Sequence, residues 1–284
     1  MTIAHEPRSA SYLPGPALAP RPIVHRTRGR QHGPINRLVS PGDVGELIKP
    51  FVFLDFFEMD AGAGGGFGWH PHSGIATLTV LLEGATHYEE TTGAKGLLPR
   101  GGVEWMRAGN GVWHTGRPDP GARVAGYQLW VALPPELENG PSASHYVQPA
   151  EVPSQDGVRV ILGRHAGLQS PIAAPETMNY LVVDLPDGAR WTYAPPAGHT
   201  VCWVAVHRGR LATPAPVTSG ELAVFASSND PITFVAQGDT SFVLGSAVPH
   251  PHDLVLGMYS VHTTPEALVR GEAEIRRIGR QLRG

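Results

Sequence analysis

The stretch Trp69-His70-Pro71-His72-Ser73-Gly74, with the later Trp105-Met106-Arg107-Ala108-Gly109-Asn110-Gly111-Val112-Trp113-His114, decides how this chain is read. Successive side chains of a strand point to opposite faces, so His70 and His72 share a face if the segment is extended. A second strand can bring His114 beside them. Three imidazoles converging inside a β-barrel can hold a divalent transition metal. Spacing alone is weak support, because 14 histidines in 284 residues give about 0.7 His-x-His pairs by chance. The chain has two, the second being His250-Pro251-His252. Context separates them. Gly62, Gly64, Gly65, Gly66 and Gly68 lead into the first pair, a long apolar run follows it, and Gly109 and Gly111 precede His114. Such glycines allow close backbone approach before a buried strand. The second pair lies between Val248-Pro249 and Asp253 and reads as a surface or loop feature.

Outside these stretches, 35 glycines and 28 prolines punctuate short apolar or alternating runs, the pattern of many strands joined by tight turns. Strands are expected over 51–57, 75–82, 124–133, 158–162, 179–185, 200–206, 222–225, 232–236 and 241–245, a spacing that suits a sandwich or barrel. The two halves echo one another: Val80-Leu81-Leu82-Glu83-Gly84 in the first resembles Val204-Ala205-Val206-His207-Arg208-Gly209 in the second. Residues 134–157 have the composition of a connector. Residues 1–34, rich in Pro, Arg and His, are expected to be a flexible arm, with Arg21, Arg26, Arg28 and Arg30 solvated or docked on the surface. One helix is expected, at the C-terminus. Thr263 or Thr264 caps it, Pro265 lies in its first turn, Glu266 completes a capping box with Thr263, and Leu268, Ile275, Ile278 and Leu282 form its apolar stripe. Arg276, Arg277, Arg280 and Arg283 suit the negative end of its dipole.

With 22 basic and 25 acidic residues the net charge is −3, so no basic face for nucleic acid is expected. The single cysteine, Cys202, excludes an intramolecular disulfide and sits in an apolar run, where a buried, inert thiol is expected. The first residues lack the apolar core of a signal peptide, and no apolar run reaches membrane-spanning length, so a cytoplasmic protein is expected.

Gly68 to Gly74, Leu81-Leu82-Glu83-Gly84, Glu104 to His114 and Gln128-Leu129-Trp130-Val131 together resemble the N-terminal half of the pirin family. The segment from Pro50-Phe51 to Asp55 and the region from Gly245 through His262 to the terminal helix are similar to it as well. The resemblance spans 34–284, strong up to Leu133 and weaker beyond. It implies an all-β protein of two stacked cupin jelly-roll β-barrels (a bicupin) with a C-terminal helix. The N-terminal cupin barrel would span 35–140 and carry the metal site; the second would span 141–284 with the helix. The family holds its metal, commonly iron, with three histidines and a glutamate. The histidines map onto His70, His72 and His114, and Fe(II) is the first expectation, with Cu, Mn, Ni or Zn compatible.

Two departures matter. The family glutamate two residues after the third histidine is Gly116 here, and a further glutamate four residues after the second is Ala76. Three neutral imidazoles leave a divalent metal its full charge, and flavonol oxygenation needs a base for the substrate hydroxyl. Glu83, Glu104 and His87 are substitutes on offer, but nothing in the sequence places any of them in a cavity. Trp69, Trp105 and Trp113 either line a pocket or belong to the core. Three functions stand open. The first is a quercetin 2,3-dioxygenase-type oxygenase acting on a small aromatic substrate through an atypical three-histidine site. The second is a metal- or redox-responsive regulator that binds a protein partner. The third is a degenerate, non-catalytic bicupin.

Overall fold

The computed structural model describes residues 20–60, 66–121, 123–174, 177–212 and 215–282. Two antiparallel sheets enclose the first barrel. The larger runs Ala143–Val147, Val103–Arg107, Ile75–Glu83, Val124–Ala132, Phe51–Met59, Ile35–Val39 and Arg30–His32 in spatial order; the smaller runs Phe67–His72, Val112–Pro118, Ala85–Glu90 and Lys95–Pro99. Side-chain alternation sorts the larger sheet. Phe53, Asp55 and Phe57 line the barrel interior, while Leu54 and Phe56 face the second barrel. Ile75–Glu83 is buried on both faces as far as Leu81, which explains why it reads as an unbroken apolar run rather than an alternating one.

The second barrel is built on a nine-stranded sheet. Its longest strand, Ile232–Ala247, merges the two strands expected at 232–236 and 241–245. Apolar side chains on both sides of that join (Phe234, Ala236, Phe242, Leu244) pack in one cluster, so the chain continues rather than turning. The interior is filled by Tyr193, Phe225, Phe234 and Phe242. The barrels meet through a shared core in which Leu78, Tyr127 and Leu129 pack with Trp203, Ala205 and Val243, and Phe51 sits edge-on to Trp203 at 5.5 Å. The echo between the halves holds at the turns, where Gly84 and Gly209 both have positive φ (72° and 77°). A Cβ at either would run into a main-chain oxygen, of Arg123 or Asp239.

Each end of the chain crosses to the other barrel. Within the segment expected to be a loose arm, Ile23–Thr27 forms an edge strand of the second barrel, paired with Glu221–Phe225, and Arg30–His32 pairs with Ile35–Val39. The arginines dock it. Arg21 is buried and donates to the carbonyls of Ala226 and Thr200, and Arg26 pairs with Glu221 at 2.9 Å. Residues 1–19 lie outside the described residues, as do Gly62, Gly64, Gly65 and Arg283. The connector contains the short helix Pro135–Glu138, and its strand Ala143–Val147 joins the first barrel by pairing with Val103–Arg107.

The helix Pro265–Gln281 is capped by Thr264, whose hydroxyl accepts from Ala267 N at 3.1 Å. The expected capping box does not form: Thr263 donates its N–H and its hydroxyl to Glu138 instead. Its buried face is Ala267, Gly271, Ile275 and Gly279; of the expected stripe Ile275 is buried, Leu268 and Ile278 are half-buried and Leu282 is exposed. Small residues let the helix lie close on the first barrel. A Cβ at Gly271 would stand 2.5 Å from Ser73 Oγ, one at Gly279 would stand 2.6 Å from the Trp113 ring, and Trp113 Nε1 donates to Ile275 O at 2.7 Å.

Candidate metal centre

The smaller sheet of the first barrel assembles the histidines. Phe67–His72 and Val112–Pro118 pair antiparallel with His70 opposite His114 and His72 opposite Val112. Register and alternation put all three imidazoles on the inner face. Their ring centroids are 5.1 Å (His70–His72), 4.3 Å (His70–His114) and 5.1 Å (His72–His114) apart. One nitrogen from each lies within 4.8 Å of the others, the separation a single metal ion can bridge.

Hydrogen bonding settles which nitrogens these are. His70 Nδ1 meets Gly68 O at 2.7 Å, His72 Nδ1 meets Tyr259 O at 3.1 Å, and His114 Nδ1 lies 3.5 Å from Glu104 Oε1. A carbonyl oxygen only accepts, so His70 and His72 carry their protons on Nδ1 and present Nε2 lone pairs, and the carboxylate facing His114 Nδ1 favours the same tautomer there. None of the three Nε2 atoms has a hydrogen-bond partner among the described residues, and that of His114 is buried without one. Buried polar atoms are seldom left unpaired, and three convergent lone pairs are what a divalent transition metal takes up. Burial and the neighbouring imidazole of His114 push the basicity of His70 down to about 4, and that of His72 further below the ordinary range. Both rings are therefore neutral at neutral pH, the form a metal requires.

The histidines open onto a cavity of about 230 Å³. Phe53 and Trp130 stack as one wall, with centroids 4.1 Å apart and planes 10° off parallel. Phe57, Phe67 and Leu98 extend the apolar lining, and Met258 and Tyr259 belong to its rim. Besides the hydroxyl and amide groups of Thr79, Gln128 and Tyr146, charged groups enter at two points. Arg37 forms a two-pronged pair with Asp55, at 2.9 and 3.0 Å, and its guanidinium lies 4.2 Å from the Phe53 ring centre. Burial pushes the Asp55 carboxyl up against the opposing pull of Arg37. The other charged group is Glu104, buried, accepting a short hydrogen bond from the Thr79 hydroxyl. Burial raises the Glu104 carboxyl, but His114 and Thr79 outweigh it and hold it below the usual carboxylate range.

Of the substitutes for the missing glutamates, only Glu104 lines the cavity. Glu83 is exposed at the cleft between the barrels, and His87 pairs with Asp119 on the surface at 2.8 Å. Gly116 lines the cavity; Ala76 is buried and does not. None of the three tryptophans near the ligands lines it. Trp69 is 41% exposed, Trp105 belongs to the shared core, and Trp113 lies under the C-terminal helix. The aromatic wall was missed in the sequence because Phe53 and Trp130 sit on the opposite sheet, far from the histidines along the chain. The second His-x-His pair does occupy a loop, but His250 is buried rather than on the surface, with Lys49 Nζ bonded to His252 O at 2.7 Å.

The family described as Pirin matches residues 34–131. A "Pirin-like protein" of Caulobacter vibrioides is 32% identical over 216 residues, covering 72% of this chain and 77% of its own length. A Pseudomonas aeruginosa protein named "Putative quercetin 2,3-dioxygenase PA3240" is 34% identical over 217 residues, covering 72% and 74%. Among solved structures, the quercetin 2,3-dioxygenase of Acinetobacter baumannii superposes with a TM-score of 0.83 at 23% identity, over 91% of this chain and 98% of its own, and so shares the bicupin fold.

Proposed function

The chain belongs to the pirin family, and we propose that it is a metal-dependent dioxygenase of small, planar aromatic enols of the flavonol class. The observation that carries this reading is the set of three Nε2 lone pairs converging in an apolar-walled cavity, each fixed by an oxygen on its Nδ1. The name of the Pseudomonas relative supports the same substrate class. His70, His72 and His114 would hold Fe(II) or a similar divalent ion, which supplies open coordination positions for a substrate oxygen and dioxygen.

The chain's own residues do the rest. The stacked Phe53 and Trp130 give the cavity an apolar aromatic wall, and burying a planar ring against it excludes water from the centre. Arg37 lines the same wall with its charge balanced by Asp55. Thr79 and Gln128 present hydroxyl and amide groups deeper in the cavity. Among the described residues no helix is long and apolar enough to cross a membrane.

The test is metal content by elemental mass spectrometry on untagged protein, with oxygen uptake on quercetin, against H70A and H114A. About one equivalent of transition metal, lost with turnover in both variants, is the expected result. An absence of metal after reconstitution with iron, copper, manganese, nickel and zinc overturns the reading and leaves the non-catalytic bicupin.

A further inference from the structure

Two carboxylates that the resemblance led one to expect beside the metal are replaced by Gly116 and Ala76, yet the cavity holds a buried carboxylate from another strand. Glu104 lies on Val103–Arg107, which pairs with Ile75–Glu83 so that Glu104 stands opposite Thr79. Its side chain is 8% exposed, and its Oε1 is 3.5 Å from His114 Nδ1. That contact decides the role. Nδ1 and Nε2 lie on opposite sides of the imidazole, so a carboxylate on Nδ1 sits behind the ring, away from the point where the three Nε2 atoms converge. Glu104 is thus not a fourth ligand beside His114; it reaches the centre through that ring.

We infer that Glu104 is a positioning residue that supplies, from behind His114, the negative charge this centre lacks among its ligands. The inference rests on the metal reading above. Three features support it. His70 and His72 are held by main-chain carbonyls, Gly68 O and Tyr259 O, whereas His114 alone faces a carboxylate. A carboxylate behind a ligating imidazole fixes its tautomer and makes it a stronger donor. The carboxylate is also braced. Gln128 Oε1 lies 3.0 Å from Thr79 Oγ1, but Thr79 has one hydroxyl proton and gives it to Glu104 Oε2, so the amide flipped by 180°, with its NH2 toward Thr79, satisfies both groups. In that orientation the amide nitrogen of Gln128, otherwise buried without a partner, has an acceptor. A relay of Gln128, Thr79, Glu104 and His114 thus runs from the larger sheet to the histidine on the smaller one. Gly116 lines the same cavity without a side chain, so the carboxylate stands behind His114 rather than beside the three Nε2 atoms.

The experiment is Co(II) affinity, measured by competition with a chromophoric chelator, for wild type, E104Q, T79V and H114A, with a thermal melt of each metal-free form. E104Q keeps the volume and an acceptor oxygen but removes the charge. It should bind Co(II) about 10–100-fold more weakly than wild type. T79V should show a smaller loss, and H114A no specific binding. A second readout needs no variant: in Zn(II)-loaded wild type the His114 Nδ1–H should give a slowly exchanging, strongly downfield proton resonance. E104Q binding Co(II) as tightly as wild type, or a rapidly exchanging His114 proton, overturns the inference and leaves the metal reading intact. Wild type that binds no Co(II) overturns both.

Discussion

Removing the Glu138 side chain should loosen the C-terminal segment from the first barrel and weaken the metal centre with it. Glu138 ends the helix Pro135–Glu138 and is 3% exposed. Its carboxylate accepts from Thr263 N at 2.6 Å and Thr263 Oγ1 at 2.8 Å, and His262 Nδ1 lies 3.3 Å away. The other side of the His262 ring meets Ser73 Oγ at 3.0 Å, and Ser73 meets Ser260 at 2.9 Å. Burial holds the His262 ring below its ordinary basicity, opposed by Glu138. Ser73 Oγ donates to Ser260 Oγ, the His262 ring bonds Ser73 through Nε2, and its Nδ1 faces the Glu138 carboxylate. The arrangement resembles a Ser-His-Glu triad, but Ser73 is fully buried and meets no substrate space, so its role is to hold the segment down. In E138A the half-buried N–H and hydroxyl of Thr263 lose their acceptor, and His262 loses the carboxylate 3.3 Å from its Nδ1. Each unpaired donor costs about 1–3 kcal/mol, and breaking a buried charged network about 3–5 kcal/mol in all. At about 2.1 cal/mol/K per residue the unfolding entropy of this chain is about 0.6 kcal/mol per kelvin, so Tm should fall by about 5–8 °C in a cooperative transition. The same segment supplies Tyr259 O to His72 Nδ1, so metal affinity should drop as well. Calorimetry and amide exchange over 259–281 on the metal-free protein are the assays, with E138Q expected to be milder because it keeps an acceptor for Thr263. A Tm within about 1 °C of wild type, with unchanged exchange in that segment, would refute the reasoning.

Two further predictions concern groups outside the metal centre. Cys202 is fully buried, and burial pushes its thiol up to about 12, so a thiol reagent at mildly alkaline pH should leave the folded protein unmodified and label it fully in denaturant; labelling of the native state would show that the second barrel opens. His207 packs against Phe56 and Tyr127, and burial pushes its basicity down to about 4. The unfolded chain therefore binds this proton more tightly than the fold does, so its contribution to stability is full above about pH 6.5 and is lost as pH falls toward 4. Urea midpoints should fall less steeply over that window in H207L than in wild type, and parallel curves would show that His207 is not the group responsible.

Local sequence determined what depends on neighbours in the chain. The period of two set His70 and His72 on one face, the apolar runs marked the strands that carry the core, and Thr264-Pro265 fixed where the terminal helix begins. The family motifs carried the pairing of two barrels and the third histidine. What the sequence could not show depends on which strands lie side by side. Glu104 was visible as a charge between apolar Val103 and Trp105, but only the pairing of Val103–Arg107 with Ile75–Glu83 turns it toward Thr79 and His114. The arm reads as unstructured because its residues have no apolar period; its segment Ile23–Thr27 is ordered by main-chain bonds to Glu221–Phe225, nearly two hundred positions away. The helix was legible, but of its buried face only Ile275 was. Leu and Ile mark burial by hydrophobicity, whereas Gly271 and Gly279 are buried because their small size admits Ser73, His262 and Trp113. Periodicity is a property of the chain alone; contact between distant strands and the fit of small residues against large ones arise only when the barrels close.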